Sequence, residues 1–183
     1  KTPPEITLTG GEVTVAHAGT YTDPGATAQD GVDGTMSVEV SHAVDTATVG
    51  VYTVNYSVTD SAGNTGTESR TVRVTDQTAP VITLLGVATV TVEAATSYLD
   101  TGASAEDAVD GSVSVTVDAS AVNVNVLGSY TVTYSATDNA GNTTSEQRTV
   151  IVADATAPAA PTLTGTTPTK DNTPELSGTA EAS

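Results

Sequence analysis

The sequence has no cysteine, tryptophan or phenylalanine and a single methionine, and its 5 lysines and arginines face 22 aspartates and glutamates in 183 residues. Each scarcity excludes something. Without cysteine there are no disulfides, the cross-links that small secreted domains usually rely on. Six tyrosines supply all the aromatic bulk, so any core is built from Val, Ile, Leu, Ala and Tyr. A domain of roughly 60–80 residues buries only about 60% of its unfolded surface. Regular β-pairing, neighbour contacts or a metal is therefore expected to help. The formal charge of -17 repels phosphate, which argues against nucleic acid and anionic membranes as partners. It suits an extracellular surface, a salty medium, or one that collects divalent cations. No apolar run reaches about 18 residues, so no membrane-inserted segment is expected. No signal peptide is visible either. The opening Lys1-Thr2-Pro3-Pro4 reads as the middle of a linker, as in a segment cut from a longer protein.

What is present is a repeat. Pro4-Glu5-Ile6-Thr7-Leu8-Thr9-Gly10 returns as Pro80-Val81-Ile82-Thr83-Leu84-Leu85-Gly86, and Tyr21-Thr22-Asp23-Pro24-Gly25-Ala26 as Tyr98-Leu99-Asp100-Thr101-Gly102-Ala103. Gly50-Val51-Tyr52-Thr53-Val54-Asn55-Tyr56 returns as Gly128-Ser129-Tyr130-Thr131-Val132-Thr133-Tyr134. Self-similarity at a fixed period means stacked or tandem units. The copies run 4–79 and 80–157, giving expected domains 1–79 and 80–157, with two single-residue insertions in loops of the second. Within each copy the period is two. Tyr52, Val54, Tyr56 and Val58 alternate with Thr53, Asn55, Ser57 and Thr59, the pattern of a half-buried strand. Turn signals such as Gly10-Gly11, Asp33-Gly34 and Ala62-Gly63-Asn64 divide each copy into six or seven short strands. Short strands at that spacing predict an all-β chain of two tandem Greek-key β-sandwiches. Residues 158–183 break the pattern and read as the truncated start of a third, different module.

The strings that carry a resemblance are Gly50 to Asn64 followed by Arg70 to Val74, and Gly128 to Asn142 followed by Arg148 to Val152. They resemble the immunoglobulin-like repeats of large bacterial surface proteins and secreted multidomain enzymes, from 4 to 157. The tail, Asp171-Asn172-Thr173-Pro174 onward, resembles the opening of a second bacterial Ig-like type found in giant adhesins. The resemblance implies a stalk or spacer role, often with calcium, and no catalysis. In the second copy Asp23-Pro24-Gly25 becomes Asp100-Thr101-Gly102, which is expected to loosen that turn without abolishing it, because the Gly survives.

No catalytic residues are assigned. A Ser-His-Asp triad needs a His held beside a nucleophile and a carboxylate. His17 and His42 occur in the first copy alone, and the second has Glu93 and Ala119 or Ser120 near the matching positions, so both read as surface residues. A glycosidase carboxylate pair needs a substrate cleft that two small sandwiches lack. Tyr52 and Tyr130 sit where an Ig-type tyrosine corner belongs, with the hydroxyl bonding backbone upstream. Tyr56 and Tyr134 share their inward parity, which favours core over a sugar-stacking platform.

The acidic loops are the candidate site. The first copy has Asp30, Asp33 and Asp60, and the second Asp107, Asp110 and Asp138, each interleaved with Gly and Asn. Calcium takes six to eight oxygens from such groups. Asp and Asn also cap turns through their own backbone, and Arg70 and Arg148 offer themselves as partners for one Asp each. In an Ig-type sandwich the B–C loop, the F–G loop and the start of strand A share one end. Asp107, Asp110 and Asp138 are thus expected to gather around the linker residue Asp76, with Asp23 approaching from the other side, in the manner of cadherin junctions. Carboxylates so gathered repel unless a cation or Arg compensates, so calcium is the expected ion. Asp30, Asp33 and Asp60 form a second, partial site. The expected role is a non-catalytic spacer in a secreted or cell-surface, adhesin-like protein. Its partners are the neighbouring Ig-like modules of the same chain, and other domains hold any surface or host glycan or protein. The alternatives are a module that itself grips a glycan or protein, and accessory modules of a secreted multidomain enzyme.

Overall fold

A computed structural model describes residues 2–157 and 159–160. Among them there are strands and turns and no helix. The first copy supplies β1 (Glu5–Leu8), β2 (Val13–Ala16), β3 (Ala26–Asp30), β4 (Gly34–Met36), β5 (Glu39–His42), β6 (Gly50–Thr59) and β7 (Thr65–Thr75). The second repeats the series as β8 (Val81–Leu84), β9 (Thr89–Glu93), β10 (Ala103–Asp107), β11 (Gly111–Val113), β12 (Val115–Asp118), β13 (Gly128–Thr137) and β14 (Thr143–Ala153). The truncated third module expected over 158–183 lies outside the described residues, apart from 159–160.

Each copy builds a three-stranded and a four-stranded sheet in the same order, β1-β3-β4 with β2-β7-β6-β5, and β8-β10-β11 with β9-β14-β13-β12. The chain enters one sheet with β1 and crosses to the other with β2, which runs parallel to β7 from Val13↔Val72 to Ala16↔Thr75. The two long strands form the backbone of each copy. β6 and β7 pair antiparallel from Gly50↔Val74 to Thr59↔Thr65, a ten-residue ladder closed by the tight loop Asp60–Asn64.

Alternation decides which side faces in. On β6, Val54, Tyr56 and Val58 are buried while Val51, Thr53 and Asn55 are exposed. They pack with Ile6, Val15, Ala28 and Val72 into one apolar core. Fully burying side chains of this size contributes about 1.5–3 kcal/mol each. In the second copy the matching positions, Ile82, Ala105, Val132, Tyr134, Val150 and Val152, are buried as well. By internal packing the chain divides into two compact units. Among the described residues, one comprises 2–85, 102–117 and 134–146, and the other 86–101, 118–133 and 147–157 with 159–160. The linker residue Asp76 and the two acidic loops of the second copy fall together in the first unit.

Candidate functional site

The largest polar groups in the interior are two arginines. Arg70 is 2% exposed and Arg148 0%. Arg70 lies on β7 at the same parity as Val72 and Val74, so its side chain enters the core. There its Nη2 donates to the carbonyls of Thr9 and Gly25, at 2.9 Å each. Its Nη1 lies 3.4 Å from Asp23 Oδ1, and its guanidinium sits 5.5 Å from the centre of the Tyr56 ring. Asp23 also accepts the Tyr56 hydroxyl at 2.5 Å, the Tyr21 hydroxyl and the Gly25 N–H. Burial raises the Asp23 pKa, but these donors and the guanidinium outweigh it and hold the carboxyl below its usual range. Burial and the adjacent carboxylate push the Tyr56 hydroxyl well above its ordinary value.

The second copy repeats the device. Arg148 pairs with Asp100 and donates from Nε to the Val87 carbonyl, and Tyr98 donates to Asp100 at 2.8 Å. Each arginine forms its ion pair with the turn Asp of its own copy, where an acidic-loop Asp was the expected partner, and Asp23, expected to approach the linker, is held inside its own sandwich. The turns carrying Asp23 and Asp100 keep the same left-handed glycine, Gly25 at φ 85° and Gly102 at φ 82°, so replacing Pro24 by Thr101 leaves that backbone feature intact.

The tyrosine corners are present in both copies. Tyr52 donates to the Thr48 carbonyl and Tyr130 to the Val126 carbonyl, each four residues upstream at 2.8 Å. The histidines have local roles. His17 Nε2 meets the Ala47 carbonyl at 2.9 Å, and exposed His42 sits edge-on to Tyr21 at 5.6 Å.

The acidic loops are ordered by the carboxylates themselves. Asp30 Oδ1 accepts the N–H groups of Val32 and Asp33, and Asp107 Oδ1 those of Val109 and Asp110. Asp60 Oδ1 accepts from Ala62 N and Asn64 N. Asp138 accepts from Asn142 N at 2.7 Å and from Asn142 Nδ2 at 2.8 Å. Backbone donors, chiefly Asp33 and Val32 N–H, hold Asp30 below its usual pKa against burial and the like charge of Asp60. For Asp138, burial works upward but the Asn142 donors prevail, and its pKa is also lowered.

These turns bring two carboxylate groups together. Asp30, Asp33 and Asp60 each place an oxygen within 4.8 Å of the others, and so do Asp76, Asp107 and Asp138. Asp110 stands outside the second group. Its carboxylate clamps the neighbouring loop, accepting Asn139 N at 2.7 Å and Asn139 Nδ2 at 2.9 Å. Asp33 clamps Ser61 in the same way, through Ser61 N and Oγ. In the second group two carboxylate oxygens are buried without a partner. Asp76 Oδ1 accepts from Thr78 N and Oγ1, but Asp76 Oδ2 is buried with no partner, and so is Asp107 Oδ2. The three described arginines are all engaged elsewhere, Arg73 with exposed Glu12.

Comparison with known proteins bears on the fold and the family. The sequence profile described as "Bacterial surface protein, Ig-like domain" matches residues 6–74 and 82–152, one match per copy. An uncharacterized 81.3 kDa protein of Acholeplasma phage L2 is 32% identical over 146 residues, 74% of this chain and 20% of that protein. The chain thus spans about a fifth of that relative's length. Among solved structures, the lipoprotein BT2262 from Bacteroides thetaiotaomicron matches with a TM-score of 0.37 and 17% identity, over 74% of this chain and 61% of that one. Two tandem profile matches account for most of the sequence, and the chain belongs to the bacterial surface protein Ig-like domain family.

Proposed function

We propose that this chain is a non-catalytic spacer segment of an extracellular, adhesin-type bacterial surface protein, holding other domains away from the cell. The observation that carries the reading is the duplicated buried lock of Arg, Asp and Tyr. The side chains best suited to chemistry or recognition are spent inside their own copy, with an Arg–Asp pair and a Tyr–Asp hydrogen bond in each. The tyrosines support it too. The hydroxyls of Tyr21, Tyr52, Tyr56, Tyr98 and Tyr130 all have partners within the chain, and Tyr134 is fully buried. Each of the six is buried or half-buried, so no fully exposed aromatic is offered to a sugar. Its partners are the neighbouring Ig-like modules, with boundaries near Pro80 and Pro158, and a glycan or protein target belongs to other domains. Calcium would stiffen such a stalk, and the residues for it are taken up below.

The test is to screen residues 1–183 against glycan and surface-protein arrays and to stretch the same chain by atomic-force microscopy. No saturable ligand, together with two matched unfolding events, is the expected result. A ligand that binds saturably and is lost on substitution of loop residues would replace the spacer reading with a binding module.

A further inference from the structure

We propose that Asp76, Asp107 and Asp138 form one divalent-cation site, of the oxygen-only kind that calcium prefers. Proximity of carboxylates is not the argument, because both groups have it. The site rests on the oxygens left over. Asp107 is 9% exposed, its Oδ1 is taken by two backbone N–H groups, and its Oδ2 is buried without any donor. Asp76 has the same division, with Oδ1 on Thr78 and Oδ2 buried and bare. Leaving a buried acceptor unmade is costly, more so when it is charged, and nearby like charges compound the penalty. Protonation, water or a cation can answer that cost. No described arginine does.

Hard oxygen ligands of this type suit calcium, which tolerates irregular sites of six to eight oxygens, better than magnesium, which needs a near-ideal octahedron. Asp138 adds a third carboxylate, held in place by Asn142, and loop carbonyls or water would complete the shell. Asp76 also lines a surface hollow with Val109, Asp110 and Asn139, which gives an ion a way in. Asp110 takes no part as a ligand. By clamping Asn139 it fixes the loop that carries Asp138.

The site goes beyond the spacer reading, since its chemistry stands whether or not the chain is a stalk. Its consequence would be local. An ion on Asp76 ties the linker Asp76–Ala79 to the loops of Asp107 and Asp138, so the linker's exchange and cleavage rates become calcium-dependent.

The experiment is calorimetric titration of residues 1–183 with calcium chloride and, separately, magnesium chloride, beside hydrogen exchange of the linker peptide with and without calcium. The wild type is expected to bind one calcium with a Kd between about 0.1 and 1 mM, the range of extracellular modules, and magnesium more weakly. Asp76→Asn should weaken binding at least tenfold and abolish calcium protection of the linker, while Asp30→Asn should leave both unchanged. Asp107→Asn is the second variant. Asp76 bonds only Thr78 among the described groups, so its variant keeps the test valid if Asp107→Asn folds poorly. No calcium binding by the wild type at 5 mM (about five times the weakest expected Kd) overturns the proposal. So does binding that survives Asp76→Asn but is lost in Asp30→Asn. Neither outcome touches the array result on which the spacer reading depends.

Discussion

Replacing Arg70 by Met isolates the energetics of the buried lock. At 3.4 Å from Asp23, the ion pair is worth about 5 kcal/mol at an effective dielectric of 20. The two charged hydrogen bonds to Thr9 and Gly25 add roughly 1.5–3 kcal/mol each. Desolvating the two ions takes back several kcal/mol apiece, so the net worth of the lock is small. Removing one partner is a different matter. The Asp23 carboxylate, with 18% of its side chain exposed, is left without its counter-ion, and the Thr9 carbonyl loses its arginine donor. The Gly25 carbonyl still accepts Thr9 N–H, and Asp23 keeps Tyr56 and Gly25 N–H. The expected cost is therefore near the lower end of the range for a broken buried pair, about 3 kcal/mol. A copy of some 75 residues has only about 4–11 kcal/mol of stability, so the loss is about a quarter or more. Urea unfolding of the whole chain, read by hydrogen exchange in β6 and β7 against β13 and β14, assigns it to the first copy. Asp23→Asn combined with Arg70→Met should recover part of the loss, because no charge is then left buried alone. A first copy that unfolds within about 0.5 kcal/mol of wild type in Arg70→Met, the size of an ordinary surface substitution, would refute the argument.

Other perturbations test other parts of the structure. The Asp23 carboxyl is held below its ordinary 3.8, so its contribution is present above that pH and lost as pH falls below it; Asp23→Asn should flatten part of the acid limb of a stability-against-pH curve. Tyr21, Tyr56 and Tyr98 are raised above 10.0, so their contribution is present below that pH and lost as pH climbs beyond it; Tyr56→Phe should shallow the alkaline limb. Tyr52→Phe and Tyr130→Phe each remove one hydrogen bond at a corner and should lower the urea midpoint of their own copy by an equivalent of about 0.5–1.5 kcal/mol. Gly66→Ala would set a Cβ 2.1 Å from the Pro4 carbonyl oxygen and should cost about 1–3 kcal/mol by overpacking. Gly31→Ala meets nothing within 4 Å at an ordinary φ and is the matched control, expected to leave the midpoint unchanged or slightly raised.

How much of this was legible depended on how far apart the interacting residues are in the chain. The period-two runs identified the long strands, since Val54, Tyr56 and Val58 differ from their neighbours in ways that one face must sort. The tyrosine corners were legible for the same reason, their partners lying four residues away. The linker Asp76 and the loops of Asp107 and Asp138 were expected together from the ends that Ig-type loops share, and the structure brings all three within reach. The lock was not anticipated, although its signal was present. Arg70 has the parity of Val72 and Val74, and Arg148 that of Val150 and Val152, so each stands on the inward face of its strand. An arginine on an inward face must find a buried partner, because an uncompensated charge there is too costly to persist. The repeated Tyr-x-Asp motif supplies that partner 47 residues earlier in the first copy and 48 in the second. Arg70 and Arg148, offered as alternative partners for the acidic loops, stand 10 residues from Asp60 and Asp138 in the sequence. The Asp60 N–H bonds the Asn64 carbonyl across the hairpin loop, so Arg70 stands six residues further along the strand, about 20 Å at 3.3 Å per residue. Asp60 closes the tip of the β6–β7 hairpin, whereas Arg70 sits halfway down β7, beside the β2-to-β3 turn. With the arginines bound there, none of the described ones is left for Asp76 and Asp107, whose Oδ2 atoms are buried without a partner, and the cation proposed for Asp76, Asp107 and Asp138 follows from the same geometry.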